Sequence, residues 1–497
     1  MRRYPCLMLN ILLITLDQFR TDCLSCAGHP IVKTPNLDRL AAEGVRLGRH
    51  YGQAAPCSPG RASLYTGLYQ MNHRAVANGT PLDGRFDNIA KAARRAGYLP
   101  ALFGYTDQSI DPRDAVNAED PRLSSYEGVL PGFEEVCGLK PGAPTQWIEW
   151  LEQKGYSVPS DPMEAIASES DRHEDLSLSA FLTNQLIDWL EKRDGPWFAH
   201  LSQFRPHEPF AAAGRFGTMY DPDDMPAPIA PSTDRHWLHE GFLRHPRLAA
   251  PTDPAQMRHI KAQYFGMISE ADYQLGRVWD TLERLGQWDN TLIIVTSDHG
   301  EQLGDHGLLQ KFGFFEASYN ILGIARDPRP NKARGTTVEA FTEAVDIFPT
   351  LCEALDVPIP AQCDGLPLTP FLNGEAKPVW WRDAAHWEFD WRFSFIRRGP
   401  HDWPRDRRLE RQNLSVHRSE NAAYVHFGDG STLAFDLAAD PTWRTPLVDP
   451  AARLTQAEGL LNWRALHLDR THTGMLVEDG GIGRWPPING TWKQERP

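Results

Sequence analysis

The chain has 497 residues, 41% of them hydrophobic, and a formal net charge of −14 at pH 7. It can bury a large core over about two to four domains, and no apolar run approaches the roughly 18 residues of a membrane span. The acidic balance excludes nucleic acid or an anionic membrane as the main partner, although a local positive site can still take an anionic substrate.

The N-terminus carries Arg2-Arg3 and then an apolar run over 7–16. Asn10 interrupts that run, no small-residue cleavage site follows, and Asp17 comes at once, so the segment reads as part of a cytoplasmic protein rather than a signal peptide. Seven cysteines in a chain of this length fit a reducing compartment. Cys23 and Cys26 have C-x-x-C spacing, but no second pair accompanies them, and the spacing reads as coincidence on a short helix.

Residues 10–16 (Asn-Ile-Leu-Leu-Ile-Thr-Leu) form an apolar, partly β-branched run, as expected of a strand buried on both faces, and end in Asp17-Gln18. Thr34-Pro35-Asn36 opens a helix with Leu37, Leu40, Ala41 and Val45 on one face. Residues 55–67 read as a helix start, with Pro59 in the first turn, Arg61 one turn after Cys57 and Gly67 at the end. A cysteine at such a position sits in positive potential, which favours a thiolate and draws anions. A buried cysteine in a structural helix fits the same local pattern.

A short helix over 88–96 leads to a strand over 99–104 and then to Tyr105-Thr106-Asp107. Residues 111–175, rich in Pro, Gly and charge, read as surface insertions. A helix over 178–192 precedes a strand over 197–203, which runs into Arg205-Pro206-His207. Residues 220–254 read as loop, 254–286 as a long amphipathic helix, and 291–296 as a strand ending in Ser297-Asp298-His299-Gly300. Alternating strands and helices predict an α/β fold with a doubly wound, mainly parallel sheet. Ligands bind such sheets beyond the carboxyl ends of the strands, where Asp17-Gln18, Tyr105 to Asp107, His207 and Asp298-His299 all fall. After residue 374 the texture changes: Trp, Arg and acidic residues cluster over 380–408, short strands follow at 423–427 and 432–437, and a helix at 454–466. The expected division is a catalytic domain over 1–375 and a smaller α+β domain over 376–497.

Asp17, Gln18, Asp298 and His299 make an oxygen-rich set with one imidazole. That chemistry suits a hard divalent cation, Ca2+ or Mn2+, better than zinc. Taken singly, Asp17 or Asp298 reads equally as a helix cap.

Cys57-x-Pro59-x-Arg61 and the following Ala62 to Gly67 resemble the signature of the formylglycine-dependent sulfatases, within the alkaline phosphatase superfamily. Asp17-Gln18, residues 205–210, residues 297–307 and Phe435-Asp436-Leu437 with Asp440-Pro441 look like further motifs of that family, in its order. Gln18 stands where many sulfatases carry a second Asp. This feature, with residues 72–76, Asn78, 104–106 and 387–390, is similar to the phosphonate monoester hydrolase branch.

The resemblance implies that Cys57 is oxidised by a formylglycine-generating enzyme, and that the aldehyde hydrate is the nucleophile. It implies that Asp17, Gln18, Asp298, His299 and the modified Cys57 hold the metal. Arg61 would orient the nucleophile, and His207 and Lys311 would contact substrate oxygens and protonate the leaving group. Asn78, Tyr105 and Thr106 are implied substrate contacts. Asp107 departs from the phosphonate hydrolases, which carry a hydroxyl residue there. Facing the pocket it would repel dianions; turned outward it would cap a loop. The expected substrate is a small anionic ester, with sulfate monoesters first, phosphonate monoesters or phosphodiesters as the alternative, and a non-catalytic metal-binding relative as the second. A cysteine phosphatase is excluded, because its loop sets five residues between Cys and Arg where three intervene here. The branch also implies a homo-oligomer.

Overall fold

The strand β1 (Asn10–Leu16) is buried along its whole length, and its alternate residues feed two different cores. Leu12, Ile14 and Leu16 pack with the helices Leu178–Leu190 and Pro254–Arg284 on one face. Ile11 and Leu13 pack with the helices Cys57–Thr66, Ile89–Arg95 and Ile347–Ala354 on the other. An apolar run without polar alternation is what a strand covered on both faces requires. This computed structural model describes residues 8–140, 142–329, 332–392 and 411–468, with the short strands 476–477 and 483–484.

The other strands, in chain order, are β2 (Val45–Tyr51), β3 (Ala54–Ala55), β4 (Ala101–Gly104), β5 (Glu134–Gly138), β6 (Phe198–Gln203), β7 (Thr291–Thr296), β8 (Gly323–Arg326) and β9 (Thr336–Glu343). They are followed by β10 (Ala384–Asp390), β11 (Asn413–Ser419), β12 (Ala422–Phe427) and β13 (Thr432–Asp436). The main sheet has eight strands in the order β5-β4-β6-β1-β7-β8-β2-β9. All neighbours are parallel except β8, which runs antiparallel to both β7 and β2. The expected mainly parallel, helix-covered α/β sheet is therefore present.

A second sheet of five strands runs β13-β12-β11-β10-β3. Its last member, β3, lies just before Cys57 and pairs in parallel with β10, so its hydrogen bonds cross the expected 375/376 division. Tyr51, Trp387, Phe389, Val416 and Phe427 pack in one cluster against it. Of the Trp- and Arg-rich run over 380–408, residues 393–408 lie outside the described residues.

Several stretches differ from their reading in the sequence. Residues 111–175 contribute the edge strand β5 and the helices Thr145–Gln153 and Pro162–Ala167, with Trp147, Leu151 and Ile166 buried in the main core. Residues 220–254 include the helix Trp237–Leu243, whose Leu238 and Phe242 join the second sheet's cluster. Cys23 is buried and Cys26 half-buried, and neither is in a disulfide. No helix among the described residues is long and apolar enough to cross a membrane.

Candidate active site and metal centre

Register brings the strand ends together. Thr15 pairs with Ser202 of β6 on one side and with Thr296 of β7 on the other. Asp17 and Asp298 therefore leave adjacent strands at the same level, with the Asp17 N–H donating to the Gln203 carbonyl at 3.1 Å.

The helix Cys57–Thr66 runs into this junction and is buried throughout. Asn78 Oδ1 accepts from the Ser58 N–H at 3.0 Å and so satisfies a free first-turn donor. Gly60 fills an unassigned position of the Cys-x-Pro-x-Arg pattern, and the reason is contact. A Cβ there would stand 2.5 Å from the Asp298 carbonyl oxygen and 3.0 Å from that of Ala54. The signal was present in the sequence as a glycine inside a helix, where glycine is otherwise unfavourable.

Arg61 does not turn to the sulfur. Its fully buried guanidinium donates from Nε to Asp298 Oδ2 at 2.9 Å and from Nη2 to Asp17 Oδ2 at 3.1 Å. Nη1 donates to Ser202 Oγ at 2.7 Å and to the Tyr105 carbonyl at 3.2 Å. Of the two local readings of Cys57, a thiolate in positive potential and a buried neutral thiol, the surroundings favour the second. Burial, then the Asp17 carboxylate, pushes the Cys57 thiol well above its usual range, and Arg61 serves the carboxylates instead.

Asp17, Cys57, Asp298 and His299 are all buried, with one ligand atom of each within 4.8 Å of the others. His299 Nδ1 lies 3.1 Å from the Gly300 carbonyl and donates to it. This leaves the Nε2 lone pair facing Cys57 Sγ at 3.2 Å, Asp17 Oδ1 at 3.6 Å and Asp298 Oδ2 at 3.7 Å. Burial lowers the His299 pKa, which favours the neutral imidazole a ligand must be. Burial alone would raise the Asp17 carboxyl, but His207, Arg61, His299 and Lys311 hold it well below the carboxylate range. Asp17 Oδ1 is buried without a hydrogen-bond partner. An orphaned carboxylate oxygen inside an oxygen-rich, mixed Asp/His set fits a divalent cation.

Gln18 lies at the edge of this group. Its Oε1 accepts from Lys311 Nζ at 2.8 Å, and its Nε2 donates to Glu208 Oε2 at 2.9 Å and to Glu301. Its side-chain oxygen is thus occupied by a lysine. Lys311 Nζ also lies 2.7 Å from His207 Nε2, while His207 Nδ1 donates to the Glu208 carbonyl at 2.8 Å. Burial disfavours the Lys311 ammonium, but Cys57, Glu208, Asp17 and Asp298 outweigh it and hold its pKa above the usual lysine range. Burial likewise opposes the Glu208 carboxylate, yet His207 and Lys311 bring its pKa down to about 2.

The remaining candidates have other partners. Tyr105 donates its hydroxyl to Asp17 Oδ2 at 2.6 Å and lays its ring against Arg61. Thr106 Oγ1 donates to the Gly128 carbonyl and accepts from the Leu130 N–H, both at 2.8 Å, so its hydroxyl ties down a loop. Asp107 is buried at φ +50° with Oδ1 unpartnered. The site also contains residues the sequence left unassigned. Arg205, fully buried, donates to the carbonyls of His207, Pro209 and Ala211 at 3.0, 2.8 and 3.1 Å and pairs with Glu169 from the 111–175 insertion. Glu301 Oε1 accepts from the Leu303 N–H at 2.9 Å and the Gln310 N–H at 2.6 Å, which fixes the turn before Lys311.

The sequence model of the sulfatase family matches residues 9–357. The multifunctional alkaline phosphatase superfamily protein PehA of Trinickia caryophylli is 40% identical over 95% of this chain and 98% of its own length. The arylsulfatase of Clostridium perfringens is 29% identical over 76% of this chain and 81% of its own. The crystal structure of the phosphonate monoester hydrolase of Agrobacterium radiobacter superposes with a TM-score of 0.85 at 42% identity, over 96% of this chain and 100% of that one.

Proposed function

Because this chain belongs to the sulfatase family, we propose that it is a hydrolase of phosphonate monoesters and phosphodiesters that cleaves sulfate monoesters as secondary substrates. The observation that carries this is likeness over the whole chain to a phosphonate monoester hydrolase, at 42% identity and full coverage of that protein. The order expected from the motifs is therefore reversed. The motifs that suggested sulfate esters are common to the family, whereas the likeness to the phosphonate hydrolase extends through the segments between them. The clostridial arylsulfatase supports sulfate cleavage as the competing reading.

Formylglycine made from Cys57 supplies, as its hydrate, an oxygen nucleophile where the buried thiol is held neutral. A divalent cation held by Asp17, Asp298, His299 and residue 57, Ca2+ or Mn2+ by donor chemistry, supplies charge stabilisation to nucleophile and ester. Arg61 offsets the two carboxylates and fixes their orientation. Lys311 holds a proton on Nζ and His207 orients it, so that the departing oxygen is protonated as its bond to phosphorus or sulfur breaks. Gln18 and Glu208 keep that proton donor in place.

The test is a comparison of kcat/KM for an aryl phosphonate monoester, an aryl phosphodiester and the matching aryl sulfate. Equal or better phosphonate turnover supports the assignment, and clearly better sulfate turnover reverses it. Mass spectrometry of the tryptic peptide 50–61, from protein made with the maturation enzyme, checks the nucleophile; finding only the thiol there defeats the formylglycine step.

A further inference from the structure

We propose that Asp107 and Gln108 form, beside the nucleophile, a subsite for an alkylammonium group on the organic arm of the ester. The inference rests on the phosphonate and phosphodiester reading above and adds a substrate class to it.

Asp107 is 4% exposed and Gln108 2% exposed, yet Asp107 Oδ1 and Gln108 Oε1 have no hydrogen-bond partner among the described residues. Their neighbours fix where they stand. Gln108 Nε2 donates at 2.9 Å to the carbonyl of Ser58, the residue after Cys57, and Thr106 is tied to Gly128 and Leu130. Between them the backbone of Asp107 sits at φ +50°, a conformation that aspartate adopts more readily than most side chains but that still carries strain. Two adjacent buried acceptors without a donor are poorly matched to the anionic oxygens of an ester. They suit a group that brings several N–H donors and a positive charge.

The Gln108 N–H donates to the Gly128 carbonyl at 3.3 Å, which holds the backbone of residues 107 and 108 against that loop. Burial, with Asp17 and Glu127, outweighs Arg61 and pushes the Asp107 carboxyl up to about 8, so without a cation beside it the group is mostly the neutral acid, and an incoming ammonium is what ionises it.

The test uses two phosphodiesters with one leaving group, 3-aminopropyl 4-nitrophenyl phosphate and butyl 4-nitrophenyl phosphate, whose second arms match in length. The metal-loaded enzyme is expected to favour the aminopropyl ester by about tenfold or more in kcat/KM, and Asp107→Asn and Asp107→Thr to bring that ratio to near one. A ratio near one in the unaltered enzyme, or the same preference in all three proteins, overturns the subsite. Loss of bound metal from Asp107→Asn, read by elemental analysis, also overturns it, since Asp107 would then belong to the metal set. If neither diester turns over while an aryl sulfate does, the phosphodiester reading fails on its own. The subsite is then judged by whether butylamine inhibits sulfate hydrolysis better than butanol, and whether Asp107→Asn removes the difference.

Discussion

Lys311 Nζ lies 2.7 Å from Nε2 of His207, and the direction of that hydrogen bond assigns the resting proton. His207 Nδ1 already donates to the Glu208 carbonyl, so Nε2 is the acceptor and the lysine is the donor. Lys311→Ala is expected to lower kcat/KM by about 10²–10⁴-fold for an ester with a phenol leaving group. The loss should be much smaller for 4-nitrophenol, which departs without a proton. Equal losses for both esters would rule out the acid role.

Metal binding should be visible without turnover. A ligand present at about 100 times its Kd stabilises by about 2.7 kcal/mol, so a chelator should lower Tm by several degrees and added Ca2+ or Mn2+ should restore it. Asp298→Ala should abolish both the bound metal and the chelator's effect on Tm. Retained metal in that variant would refute the ligand set.

The depressed carboxyl of Glu208 predicts a pH dependence of stability. Its pKa falls from an ordinary 4.5 to about 2 in the folded protein, so its contribution is fully present above about pH 5. That contribution is lost as pH falls from about 4.5 toward 2. Urea unfolding of the metal-free protein should show Glu208→Gln less stable at neutral pH by about 2–3 kcal/mol, with the difference shrinking at pH 4. A difference independent of pH would mean the loss is one of packing.

Arg205 holds the His207 loop through three carbonyls and is itself paired with Glu169. Arg205→Lys cannot reproduce that fork. It should destabilise by about 3 kcal/mol or more, the scale for disrupting a buried ion pair. It should also reduce turnover of phenyl esters more than of 4-nitrophenyl esters, as Lys311→Ala does. A fall in Tm with an unchanged ratio between the two esters would make Arg205 structural only.

These relationships were unevenly legible in the sequence. Asp17, Asp298 and His299 could be found because β1 and β7 are largely apolar runs that stop at polar residues, and His207 because it follows the short strand β6 in a distinct Arg-Pro-His sequence. β2 and β9 were missed because each mixes buried with exposed or half-buried positions and carries two charged residues, Arg46 and Arg49 in one and Glu339 and Glu343 in the other; β8 is short and ends in a buried arginine, Arg326. The partners of Arg61 lie 44 and 237 residues away, and no local pattern reports such contacts. The stretch 111–175 misled by composition. Its Pro, Gly and charge read as surface, while Trp147 and Leu151, one helical turn apart, are buried in the main core and its Glu169 anchors Arg205.

One residue separates β3 from the helix that carries Cys57, and among the described residues the only strand partner of β3 is β10. During synthesis that partner emerges late, after most of the main sheet has been made. Until then the segment leading into Cys57, whose thiol is 5% exposed in the finished fold, lacks these backbone hydrogen bonds. The pairing of Ala54 with Glu388 thus makes the entry to the Cys57 helix one of the last parts of the fold to be completed in chain order.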